Sequence, residues 1–267
     1  MHIRSIASSS RTLRCALVLS LAAAGAGAHA GGACDSLAGK RFVYEVQGVA
    51  NTGSMSDMPF AAVGRWAFDA TGAGGTDTQF GNGSDGNTPW NATAFTCANL
   101  RTPKGFGRLA LADGRVFDFV PNAAANVLEL MRADAHVAAA GEGRLADDWS
   151  TLPQQGCSVV AGKTYLSHKF GAFDGVYDAG IAQWTMSEGT GSANGVGELS
   201  DETAAGESGT RVGCWISPLD GAPVLSLADA GGNDLGNTPA YPSANGAYVA
   251  FISNLRGRPV AGWMVRR

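Results

Sequence analysis

Hydrophobic and polar positions alternate over several short stretches of the chain, with the period of two that a half-buried β-strand requires. Residues 65–69 place Trp66 and Phe68 on one face, and the glycine-rich run that follows predicts a hairpin turn. Three more runs are short and rich in aromatic and β-branched residues: residues 41–47, 116–120 and 248–252. The pattern predicts an all-β protein of antiparallel strands, arranged as small barrels or sandwiches.

The second half of the chain repeats the first. Residues 34–48 align with residues 157–171 without a gap, and the Cys, Ala-Gly-Lys and final Gly positions are identical. Four later landmarks keep the same order at offsets of 116 to 121 residues: Trp66 and Trp184, Cys97 and Cys214, Asp113 and Asp229, Gly141 and Gly262. The alignment predicts two tandem β modules, residues 31–146 and 157–267, with residues 147–156 as the linker between them.

Residues 123–140 are the stretch where a helix competes with a strand, because Ala is frequent there and Gly is absent. The stretch aligns with a strand-like region of the second half. We therefore predict a strand.

The first thirty residues have the order of a secretory signal peptide. Arg4, Arg11 and Arg14 are followed by the apolar residues 15–24 and by the cleavage signal Ala28-His29-Ala30. About 20 apolar residues are needed to span a bilayer, so this run is too short to be a transmembrane helix. The leader predicts a periplasmic or secreted protein, and no other stretch is apolar enough to span a membrane.

Composition limits the class of partner. The whole chain has a net charge of −4, and removing the leader, with three Arg and no acid, makes it −7. Nucleic-acid binding needs clustered Lys and Arg, so this balance opposes it. With 45% apolar residues the chain is not disordered, and its 38 Gly fit a turn-rich fold.

Four of the five cysteines remain after the leader and favour two disulfides, for which three pairings exist. The repeat favours Cys34–Cys97 and Cys157–Cys214, because a module that folds alone must pair its own cysteines. Each bond closes a loop of about 60 residues, worth roughly 4 kcal/mol. The mature chain has only two His and no Cys-x-x-Cys, so we predict no metal site and no cofactor.

The segment from Leu37 to Phe42, with Gly64-Arg65-Trp66, resembles the opening of lipocalin-like (calycin-type) barrel domains in exported bacterial proteins. The resemblance covers short patches of each module, and the second copy has Ala182 in place of Gly64. It implies a closed antiparallel barrel and, at most, a cavity for a small apolar ligand.

Catalytic motifs are scarce. There is no Gly-x-Ser-x-Gly, and His136 and His168 are interpreted as surface or strand-face residues. If the barrel is an enzyme, it would act through an interior carboxylate or Tyr on a small or polymeric substrate. The first copy then offers the candidates Tyr44, Glu45 and Asp69.

Tryptophans are the remaining candidates for core anchors and ligand contacts. Trp66 and Trp184 are equivalent and are predicted core anchors. Trp90, Trp215 and Trp263 have no Trp counterpart in the other copy, so each either contacts a ligand or is buried against the other module. The sequence favours an exported protein that binds a small apolar molecule or an envelope protein. A barrel enzyme and a structural envelope protein are the alternatives.

Overall fold

A computed structural model describes residues 32–50, 58–82, 92–135, 137–146, 156–173, 176–186, 190–199, 205–216, 223–228, 234–253 and 260–267. The fold is all-β, as predicted, and its first part is a closed antiparallel barrel in which each strand pairs with the next and the eighth pairs with the first. The strands are β1 (Arg41–Ala50), β2 (Met58–Phe68), β3 (Gly74–Asn82), β4 (Thr93–Asn99), β5 (Gly107–Leu111), β6 (Val116–Pro121), β7 (Val127–Ala133) and β8 (Val137–Leu145).

The second part of the chain forms another antiparallel sheet with the same strand order. Its strands are β9 (Thr164–Phe173), β10 (Val176–Met186), β11 (Thr190–Leu199), β12 (Ala205–Ile216), β13 (Pro223–Ala228), β14 (Asp234–Pro242), β15 (Tyr248–Ser253) and β16 (Val260–Arg266). Strand β16 returns to pair with β9, so this sheet also closes into a barrel. Within the described residues, no helix is long and apolar enough to cross a membrane.

Two disulfides fasten a short 3₁₀ turn to each sheet. Cys34 adjoins the turn Asp35–Leu37 and is bonded to Cys97 on β4. Cys157 lies in the turn Gly156–Val159 and is bonded to Cys214 on β12. This is the pairing that the repeat favours.

Aromatic side chains fill the first barrel. Trp66 lies 4.5 Å from the ring of Tyr44 and 5.2 Å from that of Phe117, measured between centroids. Phe68 continues the contacts to Phe95 at 5.1 Å. All five rings are buried, and burying one large apolar side chain contributes about 1.5–3 kcal/mol. These rings form the aromatic core of the first barrel.

The turns before β7 and β15 have the same pattern of hydrogen bonds. The side chain of Asn122 accepts from the backbone N–H groups of residues 126 and 127, and that of Ser243 accepts from residues 247 and 248. Lys40 Nζ donates to the carbonyl of residue 125 at 3.0 Å, and Lys163 Nζ donates to that of residue 245 at 3.0 Å. The lysine of each Ala-Gly-Lys segment thus closes the corresponding turn.

Two local predictions differ from the structure. Residues 123–140 contain parts of two strands, β7 and β8, because Asp134 Oδ1 accepts from Val137 N at 3.0 Å and closes a turn between them. The hairpin turn predicted in the glycine-rich run after residue 69 is shorter than that run, because β3 already begins at Gly74. A Cβ on Gly75 would lie 2.2 Å from the Ala67 carbonyl oxygen, so glycine permits close pairing there.

The barrels pack through the outer faces of β1 and β2 against those of β14, β15 and β16. We call this contact the seam. Its core is apolar and consists of Val43, Ala61, Val63, Ala146, Val159, Tyr241, Ala250, Ile252, Ala261 and Trp263.

Candidate functional site

The three catalytic candidates of the first copy lie in three separate environments. Tyr44 faces the barrel interior, whereas its neighbour Glu45 faces the seam, because successive strand residues point to opposite faces. Asp69 is exposed in the turn after β2, where its carboxylate accepts from the Thr71 hydroxyl at 2.7 Å. This hydrogen bond lowers the pKa of Asp69. The structure therefore does not bring these residues together.

Tyr44 belongs to a buried polar network that the sequence did not reveal. Its hydroxyl donates to Asp77 Oδ1 at 2.7 Å, and Arg115 Nη1 lies 2.9 Å from Asp77 Oδ2. Arg115 also pairs with Asp113 at 2.6 Å and donates to Gln79. Burial, with the nearby Asp77 charge, raises the pKa of Tyr44 well above its usual value. Tyr44 is thus a neutral, hydrogen-bonded group in the interior of the first barrel.

A row of carboxylates crosses three neighbouring strands beside the seam. Glu45 on β1 is directly opposite Glu142 on β8, and Glu142 is directly opposite Glu129 on β7. Glu45 is 9% exposed, and its Oε2 atom has no hydrogen-bond partner. Burial first, and then repulsion from Glu142, raise the pKa of Glu45 to about 8. Glu45 is therefore mostly neutral at pH 7.

Aromatic residues of the second barrel cover this row. Arg144 pairs with Glu142, and its guanidinium lies 5.2 Å from the ring centroids of both Tyr248 and Trp263. Trp263 lies on β16 rather than in a loop and is 2% exposed. The indole of Trp263 lies close enough to Glu45 to favour the ionised carboxylate. The indole N–H nevertheless makes no hydrogen bond of regular geometry. The structure places Trp263 in the contact between the barrels.

The interior of the second barrel differs from that of the first. Trp184 faces inward on β10 opposite Tyr165, and its Nε1 donates to Ser167 Oγ at 2.6 Å. Trp184 is partly exposed, whereas its counterpart Trp66 is 0% exposed. Burial raises the pKa of Tyr165 to about 12, and its hydroxyl donates to the Gly246 carbonyl at 2.9 Å.

Apolar side chains surround Trp184. They are Val160, Tyr165, Met186, Leu225, Ala240, Val249, Phe251 and Met264, with Cys214 partly buried beside them.

The remaining candidates are Trp215, Trp90 and the two histidines. Trp215 is on β12, and Trp90 and His136 lie outside the described residues. His168 is exposed on the outer face of β9, opposite Ile181 and Trp263. Among the described residues, no group of three or more His, Cys, Asp or Glu side chains is placed to hold a metal ion.

Comparison with known proteins finds distant structural likeness only. No protein-family model and no curated protein matches the chain. A candidate AttH protein of Nitrosomonas europaea has 10% identity and a TM-score of 0.31, over 85% of this chain and 92% of that one. A candidate outer membrane protein of Bacteroides fragilis has 11% identity and a TM-score of 0.21, over 89% and 100%. A porin-like protein of Bacteroides uniformis has 10% identity and a TM-score of 0.16, over 84% and 97%. These likenesses carry no argument about function.

Proposed function

We propose that the protein is an exported small-molecule-binding protein in which the second barrel holds the ligand and the first is a structural module. The observation that carries the proposal is the contrast between two equivalent tryptophans. Trp66 is sealed by the rings of Tyr44 and Phe117, whereas Trp184 is partly exposed inside its own barrel.

One substitution between the copies accounts for much of the contrast. Residue 44 aligns with residue 167, so Ser167 occupies the position of Tyr44. Tyr44 covers Trp66 at 4.5 Å between ring centroids, whereas Ser167 offers only a hydroxyl to the edge of Trp184. Replacing a phenol ring by a hydroxymethyl group removes filling volume from the interior of a packed barrel. That volume is what a ligand would occupy.

The chemistry of the walls favours a neutral, largely apolar ligand. The buried hydrophobic residues packed against Trp184 are aliphatic, aromatic or sulfur-containing, and the Ser167 hydroxyl accepts from its indole N–H. The Tyr165 hydroxyl donates to the Gly246 carbonyl. Burying an unpaired ionic group there would be unfavourable, so the ligand would be held by apolar contact and shape.

Export and tandem duplication belong to the same proposal. The signal-like leader and the two disulfides agree with an oxidising compartment outside the cytoplasm. The shared strand order and the matching turns before β7 and β15 support descent of both barrels from one module.

Surface interaction is the second candidate. Ile181 is 66% exposed and Leu166 is 49% exposed, and they are diagonal neighbours on β10 and β9. Exposed apolar side chains in adjacent positions favour contact with another protein. A photo-crosslinking residue at position 181 would capture such a partner, whereas the same residue at position 110, on the exposed outer face of β5, would not.

The binding proposal is tested by refilling the second barrel. We expect wild-type protein to bind the neutral apolar fluorophore 1-aminoanthracene, with energy transfer from tryptophan, and we expect Ser167→Tyr to weaken binding by about tenfold or more, because the new ring occupies the site. Thr185→Tyr, at the exposed position after Trp184, is the matched control and should bind normally. Equal affinity in wild type and Ser167→Tyr would refute the assignment.

A further inference from the structure

We propose that the seam is an acid-closed joint: the neutral form of Glu45 lets the two barrels pack together, and its ionised form drives them apart. This inference goes beyond ligand binding and does not depend on it, since it is argued from the geometry and charges of the seam. It concerns whether the two barrels move as one body.

The position of Glu45 makes its charge costly in the closed seam. Its side chain is buried beside the apolar surfaces of Val63 and Trp263, and Oε2 has no hydrogen-bond partner. Its cross-strand neighbour is Glu142, another acid. Like charges directly opposite on adjacent strands destabilise a sheet. The Trp263 indole and the Glu142 backbone favour the Glu45 carboxylate, but Oε2 stays without a hydrogen-bond partner, which makes a buried charge costly.

Groups on each element packed around Glu45 define its electrostatic environment. On β8, Glu142 opposes ionisation and Arg144 favours it, and the exposed Glu129 on β7 extends the acidic row. On β16 the indole of Trp263 favours the charged form. Other titratable or charged groups that the structure describes near the seam include Arg65 on β2, Tyr241 on β14, Tyr248 on β15 and His168 on β9.

Arg144 does not neutralise Glu45 directly. It is paired with Glu142 and stacked against Tyr248 and Trp263. Burial and the repulsion from Glu142 therefore outweigh the attraction of Arg144, and the pKa of Glu45 stays at about 8. When the barrels separate, Glu45 regains water and its pKa returns toward the ordinary value of 4.5.

The direction of the pH effect follows from these two states. Below pH 4.5 Glu45 is neutral in both the closed and the open seam, so it favours neither. Between that value and about 8 only the open seam ionises Glu45. The opening constant should therefore rise about tenfold for each pH unit in this window and level off above it. Acidification closes the joint.

Buried cysteines report seam opening separately from unfolding. Val63 is fully buried in the seam, and Val46 is fully buried inside the first barrel. We would label Val63→Cys and Val46→Cys with dithiodipyridine, which reacts over this pH range, and normalise each rate to that of a small reference thiol. Val63→Cys should label about tenfold faster per pH unit from pH 5 to pH 8. Val46→Cys should label more slowly, because its exposure requires unfolding of the barrel itself.

Two isosteric changes assign the effect to one carboxyl. Glu45→Gln should remove the pH dependence of Val63→Cys labelling, whereas Glu129→Gln, at the exposed end of the row, should retain it. The proposal is overturned if Val63→Cys shows no pH dependence after normalisation, or if the dependence survives Glu45→Gln. Parallel behaviour of Val46→Cys and Val63→Cys would also overturn it, because Glu45 would then act on the whole fold.

Discussion

At the scale of single residues, strand alternation decides which side chains meet. Tyr44 and Glu45 are adjacent in sequence, yet one lies in the interior of the first barrel and the other in the seam. The alternating pattern predicted that neighbouring residues face opposite ways. It did not reveal that Tyr44 would reach Asp77, because that contact depends on how β2 pairs with both β1 and β3.

The buried network predicts that Tyr44→Phe lowers the free energy of unfolding. The substitution leaves the ring in place but removes the hydrogen bond to Asp77 Oδ1, a carboxylate that is 0% exposed. Leaving a buried acceptor with one partner fewer costs about 1–3 kcal/mol. Urea unfolding should show this decrease in the free energy of unfolding, and a change below about 0.3 kcal/mol would mean that the bond contributes nothing net.

Glu45→Gln should have the opposite effect on stability, in a pH-dependent way. The pKa of Glu45 is raised from 4.5 to about 8 in the folded protein, so folding keeps a proton that the unfolded chain releases. This penalty is absent below pH 4.5, grows with pH, and reaches at most about 4–5 kcal/mol above pH 8. Urea unfolding should therefore show equal stability at pH 4 and a more stable variant at pH 8. Equal stability at both would contradict the raised pKa.

At the scale of elements, strands and disulfides were predictable, whereas turns that depend on a side chain were not. Aromatic and β-branched runs identified β1, β6 and β15, and the repeat favoured the observed cysteine pairing. The turn at Asp134 was missed because the flanking Ala-rich sequence has no Gly or Pro to mark it. The contact of Trp263 with the first barrel was left open between two interpretations, since packing between barrels has no local sequence signal.

The matching turns predict that equivalent substitutions lower the free energy of unfolding by similar amounts. Asn122→Ala and Ser243→Ala each remove a side chain that accepts from two backbone N–H groups. Each should lower the free energy of unfolding by about 1 kcal/mol. Thermal unfolding of the two variants would check this, with exposed Thr96→Ala on β4 as the control. A large loss in one variant and none in the other would show that the turns are not equivalent.

At the scale of the whole molecule, two sheets of like topology differ in what they enclose. The first encloses interlocking aromatic rings and a charge-paired network, and the second encloses a partly exposed Trp184 beside Ser167. The sequence alignment shows that residues 44 and 167 are equivalent. The effect of replacing Tyr by Ser there is visible only in the structure, where the Tyr44 ring covers Trp66. Under the proposed function, duplication followed by loss of filling side chains in one copy would give a structural module joined to a binding module.

Native mass spectrometry tests this account most directly. Wild type, Ser167→Tyr and Thr185→Tyr would be purified from the envelope fraction of the same host and measured with both disulfides intact. The account predicts excess mass of one small molecule on wild type and on Thr185→Tyr, and a bare chain for Ser167→Tyr. A bare wild-type chain, or the same adduct on Ser167→Tyr, would contradict ligand binding in the second barrel.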